Sequence, residues 1–137
     1  MTARACQESS WVIRVDAATS RLADIRRFVE QVATEVAVDV ERIFDLKVAV
    51  SEAFANAVEH ARCGETSLEV SAQLQARRLT FIVTDNGTFR PPAATRESFG
   101  SRGLGLPLMV TLMDEVSFCR EPDGGTSVRL SVQLDRA

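Results

Sequence analysis

Residues 40–61 read VERIFDLKVAVSEAFANAVEHA and carry the clearest helical periodicity in the chain. Apolar side chains recur there at spacings of three and four, which places them on one face of an α-helix. Asp39 precedes the first turn as a candidate N-cap. The pattern predicts a long helix packed against a core through Ile43, Leu46, Val50, Ala53, Phe54, Ala57 and Ala61.

Two polar residues lie beside this apolar stripe rather than opposite it. Glu52 and Asn56 are one helical turn apart, so their side chains follow one edge of the buried face. Ala49, one turn earlier, is small enough to let a ligand approach the backbone. Solvated helix residues would show the same pattern, so the pair alone does not define a site.

Strands and further helices are predicted on both sides of this helix. Before it, residues 11–16 alternate as a strand, and an apolar repeat from Leu22 to Val36 predicts a helix with Thr19 or Ser20 as N-cap. After it, two alternating segments at 68–74 and 79–83 predict a hairpin that turns at Arg77 and Arg78. The chain continues with a loop at 88–102, a helix at 104–113, a strand at 116–120 and a last strand with Val128, Leu130, Val132 and Leu134 inward.

This order of elements predicts an α/β (α+β) fold, a two-layer sandwich in which a mixed, mostly antiparallel sheet carries its helices on one face. The 137 residues fit a single domain, 1–137. We expect residues 1–9 to be flexible. The segment at 88–102 is long for a loop within a compact domain, and loops of that length are often functional.

Composition excludes several classes of protein. A formal net charge of -3 argues against a nucleic-acid-binding surface, which needs an excess of Lys and Arg. No apolar run suggests a membrane span or a signal peptide, so we expect a cytoplasmic protein. The three cysteines have no disulfide or zinc spacing, which favours reduced thiols. The only lysine, Lys47, lies within the long helix, which excludes a P-loop nucleotide site.

Three further motifs carry residue types that suit a nucleotide. Asp85-Asn86-Gly87 closes a strand, where a carboxylate can accept a hydrogen bond from an exocyclic amine. Gly103-Leu104-Gly105-Leu106 opens a helix, where backbone amides suit phosphate oxygens. Gly124-Gly125-Thr126 opens the last strand and offers a hydroxyl. Taken alone, the first and third motifs are typical of turns, and a GxG before a helix is weak evidence for a phosphate site.

Taken together and in order, these motifs resemble the four boxes of the superfamily that includes gyrase, heat-shock chaperones and histidine kinases. The strings VSEAFANAVEHA, DNGTF, GLGL and LMDEV are similar to those of the anti-sigma-factor serine kinases. The resemblance runs from about residue 10 to residue 133. It implies the Bergerat, or histidine-kinase-like ATPase, fold with ATP and Mg²⁺ as cofactors.

The resemblance also implies roles for single residues. Asn56 matches the asparagine that coordinates Mg²⁺, and Glu52 matches the acidic residue that serves as general base. Asp85 matches the reader of adenine, and Gly87 leaves room for the base. The matching phosphate-loop and adenine-side residues are Gly103, Leu104, Gly105, Leu106 and Thr126, and residues 88–102 correspond to the ATP lid.

Some positions depart from the pattern. Phe89 stands where the wider superfamily often has glycine, which favours the serine-kinase subfamily. Arg102 is a candidate phosphate contact, although some relatives carry the arginine one position earlier. His60 lies where relatives often have histidine, and a structural role at the end of a packed helix is the simpler interpretation.

The leading hypothesis is a serine protein kinase that phosphorylates a STAS-type anti-anti-sigma antagonist and sequesters a sigma factor. The resemblance also implies a homodimer. The first helix could contribute to it or could simply cover the sheet as part of the core, and the sequence does not separate the two. The alternative is a non-catalytic nucleotide-binding switch or interaction module. A sensor histidine kinase fragment fits poorly, because no histidine precedes the long helix to accept phosphate.

Overall fold

A computed structural model describes residues 9–60, 67–85, 105–120 and 126–134. Its described elements follow the order strand, helix, helix, hairpin, helix, hairpin, as the sequence predicts. A short 3₁₀ turn, Thr19–Arg21, precedes the first helix. The elements are β1 (Ser9–Asp16), α1 (Leu22–Glu35), α2 (Val40–His60), β2 (Ser67–Gln75), β3 (Arg78–Asp85), α3 (Gly105–Leu112), β4 (Glu115–Arg120) and β5 (Thr126–Gln133).

The described strands form one five-stranded sheet in the order β1-β2-β3-β5-β4, and all four pairings are antiparallel. Strand β3 lies at the centre, with Arg78 opposite Gln133 at one end and Asp85 opposite Thr126 at the other. We call these the Arg78 end and the Asp85 end of the sheet. The predicted sandwich with an antiparallel sheet is confirmed.

The core lies between the sheet and the helices. The predicted stripe of α2 is buried at Leu46, Val50, Ala53 and Phe54, and Ile43 and Ala57 are half-buried. Full burial of a Leu, Val or Phe side chain contributes about 1.5–3 kcal/mol to the stability of the fold, because apolar surface is removed from water. Side chains alternate along β2 and β3, and every second one points toward the helices, as the sequence predicts. Phe28 of α1 and Phe81 of β3 pack edge to face, with ring centroids 6.3 Å apart.

No side chain caps the start of helix α1, and backbone hydrogen bonds close its C-terminal end. Neither Thr19 nor Ser20 caps it, because both belong to the 3₁₀ turn and the residue that precedes α1 is Arg21, with no side-chain cap. At the other end Ala37 takes a positive φ of 63°, and the N–H groups of Ala37 and Val38 donate to the carbonyls of Thr34 and Ala33. This pair of bonds is a Schellman motif, which satisfies carbonyls that the helix leaves open.

The hairpin between β2 and β3 turns at Ala76 and Arg77, which both have positive φ, 53° and 65°. The expected turn at Arg77 and Arg78 is wrong by one residue, since Arg78 pairs with Gln75 as the first residue of β3. A two-residue turn with both φ values positive matches the twist of antiparallel strands. The backbone N–H of Leu134 donates to the Arg77 carbonyl at 2.9 Å, which ties this turn to the end of β5.

Several predictions fall on residues outside the described part. They include the flexible N-terminus before Ser9, the loop at 88–102, Cys6 and Cys63. Cys119, which is described, is a free thiol. None of the helices in the described ranges is both long and apolar enough to cross a bilayer.

Candidate functional site

The N-terminal end of α2 is attached at the Arg78 end of the sheet. The Arg42 guanidinium donates from Nη2 to both carboxylate oxygens of Asp114, at 3.2 and 3.1 Å. The same carboxylate accepts the backbone N–H of Gln133 at 2.7 Å. Because Gln133 lies opposite Arg78, these contacts fix where α2 starts along the sheet.

The length of α2 indicates that its C-terminal half extends toward the Asp85 end. Helix α2 has 21 residues, about 30 Å at 1.5 Å per residue. Strand β3 has 8 residues, about 26 Å in length. Asn56 lies roughly 21 Å along the helix from Arg42, and α2 packs against both β3 and β5. From helix length and attachment we expect Asn56 to lie toward the Asp85 end of β3.

Contacts with α1 hold α2 in this direction. Lys47 Nζ donates to Glu30 Oε1 at 2.9 Å, and Arg26 Nε donates to the Ser51 hydroxyl at 3.3 Å. The two helices are thus antiparallel, and Ser51 is buried beside Glu52. The pairs fix the rotation of α2 as well as its direction, because each uses a different turn of the helix.

Asp85 and Thr126 are direct neighbours across the β3–β5 pair. Thr126 is also opposite Arg120 of β4, so three strands meet at this point. The Thr126 hydroxyl is buried and has no hydrogen-bond partner among the described residues. A buried hydroxyl without a partner is costly, which makes this position suited to a polar ligand.

Glu52 and Asn56 occupy different environments on α2. Asn56 is only 9% exposed, whereas Glu52 is half-buried. The Asn56 amide oxygen Oδ1 is buried and accepts no hydrogen bond from the described residues, although Asn56 has a further interaction of its own. An amide oxygen is a ligand that Mg²⁺ accepts. The pair therefore combines an inward amide with a more accessible carboxylate one turn away.

Helix α3 is attached to the sheet just beyond its C-terminal end. The N–H of Asp114, just beyond its C-terminus, donates to the Ser131 carbonyl at 2.9 Å. Gly105, the first residue of α3, lies roughly 13 Å from Asp114 along the helix axis. Helix α3 also packs against α2, and the open backbone amides of its first turn are groups of the kind that bind phosphate.

The structure places part of the predicted site on elements that pack together. Glu52 and Asn56 lie in the C-terminal half of α2, Asp85 pairs with Thr126 where β3 meets β5, and Gly105 and Leu106 form the first turn of α3. Helix α2 packs against β3, β5 and α3. The other predicted residues, Gly87, Arg102, Gly103 and Leu104, lie outside the described residues. Ala49, predicted to leave space for a ligand, is fully buried in the core.

Sequence reasoning missed the part played by Asp114. It stands within the string LMDEV, but its contacts with Arg42 and Gln133 could not be read from that string. One signal was present: a carboxylate just after a helix C-terminus is unfavourable beside the helix dipole. An acidic residue retained there indicates a partner elsewhere in the fold.

Comparison with known proteins identifies the family. Residues 15–132 match the model of the histidine kinase-like ATPase domain. The chain belongs to the histidine kinase-like ATPase family. It is 36% identical over 126 residues to the serine-protein kinase RsbW of Bacillus licheniformis, which covers 82% of this chain and 78% of that relative. With the RsbW of Bacillus subtilis (strain 168) the identity is 36% over 118 residues, 76% of this chain and 74% of the relative.

Solved structures agree with this family. The RsbU and RsbW domains of Rv1364c from Mycobacterium tuberculosis superpose with a TM-score of 0.72 at 25% identity, over 94% of this chain and 33% of that one. This ATPase-family chain therefore spans about a third of that protein. The SiaB-SiaC complex from Pseudomonas aeruginosa matches in fold, with a TM-score of 0.63 at 14% identity, over 89% of this chain and 88% of the other.

The relatives confirm the prediction of a protein serine kinase of the anti-sigma type. They extend over most of the chain and share its fold, so the assignment does not depend on one motif. ATP use follows from the family. The roles of single residues stay predictions.

Proposed function

We propose that this chain transfers the γ-phosphoryl group of ATP to a serine of a STAS-type anti-anti-sigma antagonist and also sequesters a sigma factor. One arrangement supports the proposal: Asn56 is buried on α2 with Glu52 one turn away on the accessible side, and α2 packs against β3 and β5, the strands that pair Asp85 with Thr126. The names of the relatives support serine as the acceptor.

In this proposal each residue has a separate task in holding ATP. Asp85 accepts a hydrogen bond from the adenine amino group, and the Thr126 hydroxyl donates or accepts beside it. Backbone amides from Gly103 to Leu106 hold phosphate oxygens, with Arg102 as a further contact and Gly87 giving the base room. Asn56 would hold Mg²⁺, which supplies charge neutralisation for the triphosphate.

Glu52 is the proposed general base. Its carboxylate accepts the proton of the serine hydroxyl while the serine oxygen bonds to the γ-phosphorus. The bond from that phosphorus to the β–γ bridging oxygen breaks, and ADP leaves with the electron pair. Most of the rate comes from positioning and charge stabilisation, because phosphoryl transfer requires little covalent help from the protein.

Replacement of Glu52 by Gln tests the proposal, since it keeps the shape of the side chain and removes the base. We expect unchanged ATP binding in titration calorimetry and a loss of roughly 10²-fold or more in ³²P transfer to the antagonist. Glu35→Gln, an exposed carboxylate at the end of α1, is the matched control and should transfer at the wild-type rate.

Two results would count against this function. Wild-type transfer rates in the Glu52→Gln variant would exclude Glu52 as the base. Tight ATP binding by the wild type without transfer to any antagonist would favour the alternative, a nucleotide-dependent interaction module. The proposal also places the protein in the cytoplasm as a homodimer. Sedimentation of the purified chain would test the dimer.

A further inference from the structure

Helix α2 has an outer face that the core leaves open. Val40 is 78% exposed and Phe44 65% exposed, and Val48, one turn further on, is half-buried. The three residues follow one another at i, i+4 spacing, and the next position in the row is Glu52. We call Val40, Phe44 and Val48 the α2 ridge. A row of apolar side chains therefore leads along the helix to the proposed base.

Three carboxylates border the ridge on the side of Glu41. The two cations in this half of α2 are already engaged, Arg42 with Asp114 and Lys47 with Glu30. The carboxylates of Glu41, Asp45 and Glu52 form no ion pair within the described ranges. Since both cations are engaged in these pairs, the ridge presents apolar side chains with carboxylates, unpaired among the described residues, along the side of Glu41 and Asp45.

Distances relate the ridge to the proposed chemistry. Val48 lies about 6 Å and Phe44 about 12 Å from Glu52 along the helix axis. A stable protein interface covers about 800 Å² on each partner, a disc of roughly 16 Å radius. A folded protein that presents its serine to Glu52 would therefore cover Phe44 if it lies along α2. An exposed phenylalanine is also a residue type enriched in interfaces.

We infer that the α2 ridge docks the phosphoacceptor protein. The acceptor places an apolar side chain against Phe44 and Val48 and a Lys or Arg opposite Glu41 and Asp45, and so brings its serine to Glu52. The inference rests on the proposed kinase function and extends it by naming the surface that selects the substrate. Its occupant is a folded protein with a basic and apolar contact patch.

The acceptor protein for the tests is first selected with the wild-type chain. STAS-type antagonists from the source genome are purified and screened for ³²P transfer, and the best acceptor is then titrated against variants. We expect Phe44→Asp to raise the KM for the acceptor roughly tenfold or more, with ATP affinity unchanged, because a central aromatic contact is lost. Phe44→Ala should act in the same direction with a smaller effect. Both changes are on the surface, and their melting curves should match the wild type.

Two controls separate docking from general effects. Val12→Asp introduces the same charge at an apolar residue that is 60% exposed on β1, away from α2, and should leave the KM unchanged. Asp45→Lys should raise the KM, whereas Glu35→Lys, with the same charge change on α1, should not. A rise in Val12→Asp as large as in Phe44→Asp, or in Glu35→Lys as large as in Asp45→Lys, would show an effect that does not depend on the ridge and would overturn the inference.

The outcomes also separate this inference from the proposed function. If the wild type transfers phosphate and Phe44→Asp keeps the wild-type KM, the ridge is not the docking surface and the kinase function stands. If Phe44→Asp instead dissociates a dimer without changing the KM, a second copy of the chain occupies the ridge and the inference is wrong. If the wild type transfers no phosphate to any antagonist, both fail together.

Discussion

Replacement of Thr126 by Val should stabilise the protein and weaken its affinity for ATP. Valine has nearly the same shape as threonine, so the change removes the hydroxyl with little effect on packing. That hydroxyl is buried without a partner in the described part of the chain. The free protein therefore gains from its removal, whereas bound nucleotide loses a polar contact. The two effects have opposite signs, which a purely structural role would not produce.

The sizes of both effects follow from the cost of an unsatisfied polar group. Burial of a hydroxyl without a hydrogen bond costs about 1–3 kcal/mol. Thr126 as a whole is only half-buried, so we expect the lower figure, about 1 kcal/mol, or roughly 3 °C in Tm for a chain of this size. Loss of one hydrogen bond to the ligand removes about 0.5–1.5 kcal/mol, a rise of roughly twofold to tenfold in Kd.

Thermal unfolding without nucleotide and calorimetric titration with ATP and Mg²⁺ measure the two quantities. Thr80→Val is the matched control, because the Thr80 hydroxyl shares a hydrogen bond of 2.9 Å with Ser131, which is itself buried. That variant should lose about 1 kcal/mol of stability and keep its ATP affinity. A Thr126→Val protein that is less stable than the wild type, with unchanged ATP binding, would refute the reasoning.

Four further changes test other parts of the structure. Ala37→Gly should raise the free energy of unfolding by about 0.5–1 kcal/mol in urea titration, because glycine adopts positive φ without the cost that alanine bears; a lower value would contradict the left-handed end of α1. Arg77→Gly should act in the same direction for the same reason in the β2–β3 turn, and an unchanged urea midpoint would contradict it. Phe54→Ala should lower the free energy of unfolding by about 3–5 kcal/mol through loss of a fully buried ring, and a loss below about 1 kcal/mol would contradict its place in the core. Asn56→Ala should abolish the Mg²⁺-dependent part of ATP binding in calorimetry, and an intact Mg²⁺ dependence would exclude Asn56 as the ligand.

Much of the fold could be predicted because local periodicity and burial agree. The apolar stripe of α2 and the alternation of β2 and β3 each follow from side-chain spacing, and both are confirmed. The cap of α1 was wrong because Thr19 and Ser20 entered a 3₁₀ turn, which spacing does not distinguish from a cap. Ile82 lies on the sheet face that points away from the helices and is nevertheless only 7% exposed. Strand alternation alone does not predict this burial.

The residues of the candidate site came from resemblance, and their roles stay predictions. Side-chain spacing did not predict how α2 runs across the sheet. That direction depends on the attachment of Arg42 to Asp114, a contact between residues 72 positions apart in the chain. Long-range ion pairs of this kind leave no periodic trace, so only the folded structure reveals them.

The bonds of Asp114 attach the C-terminal end of α3 to β5 and α2. The N-terminal end of the helix lies roughly 13 Å from this attachment. A tilt of only about 10° about this attachment would displace Gly105 by about 2 Å, enough to carry a backbone amide into or out of hydrogen-bonding range. Small rotations about Asp114 would therefore produce larger displacements of the first-turn backbone amides, the groups proposed to bind phosphate oxygens.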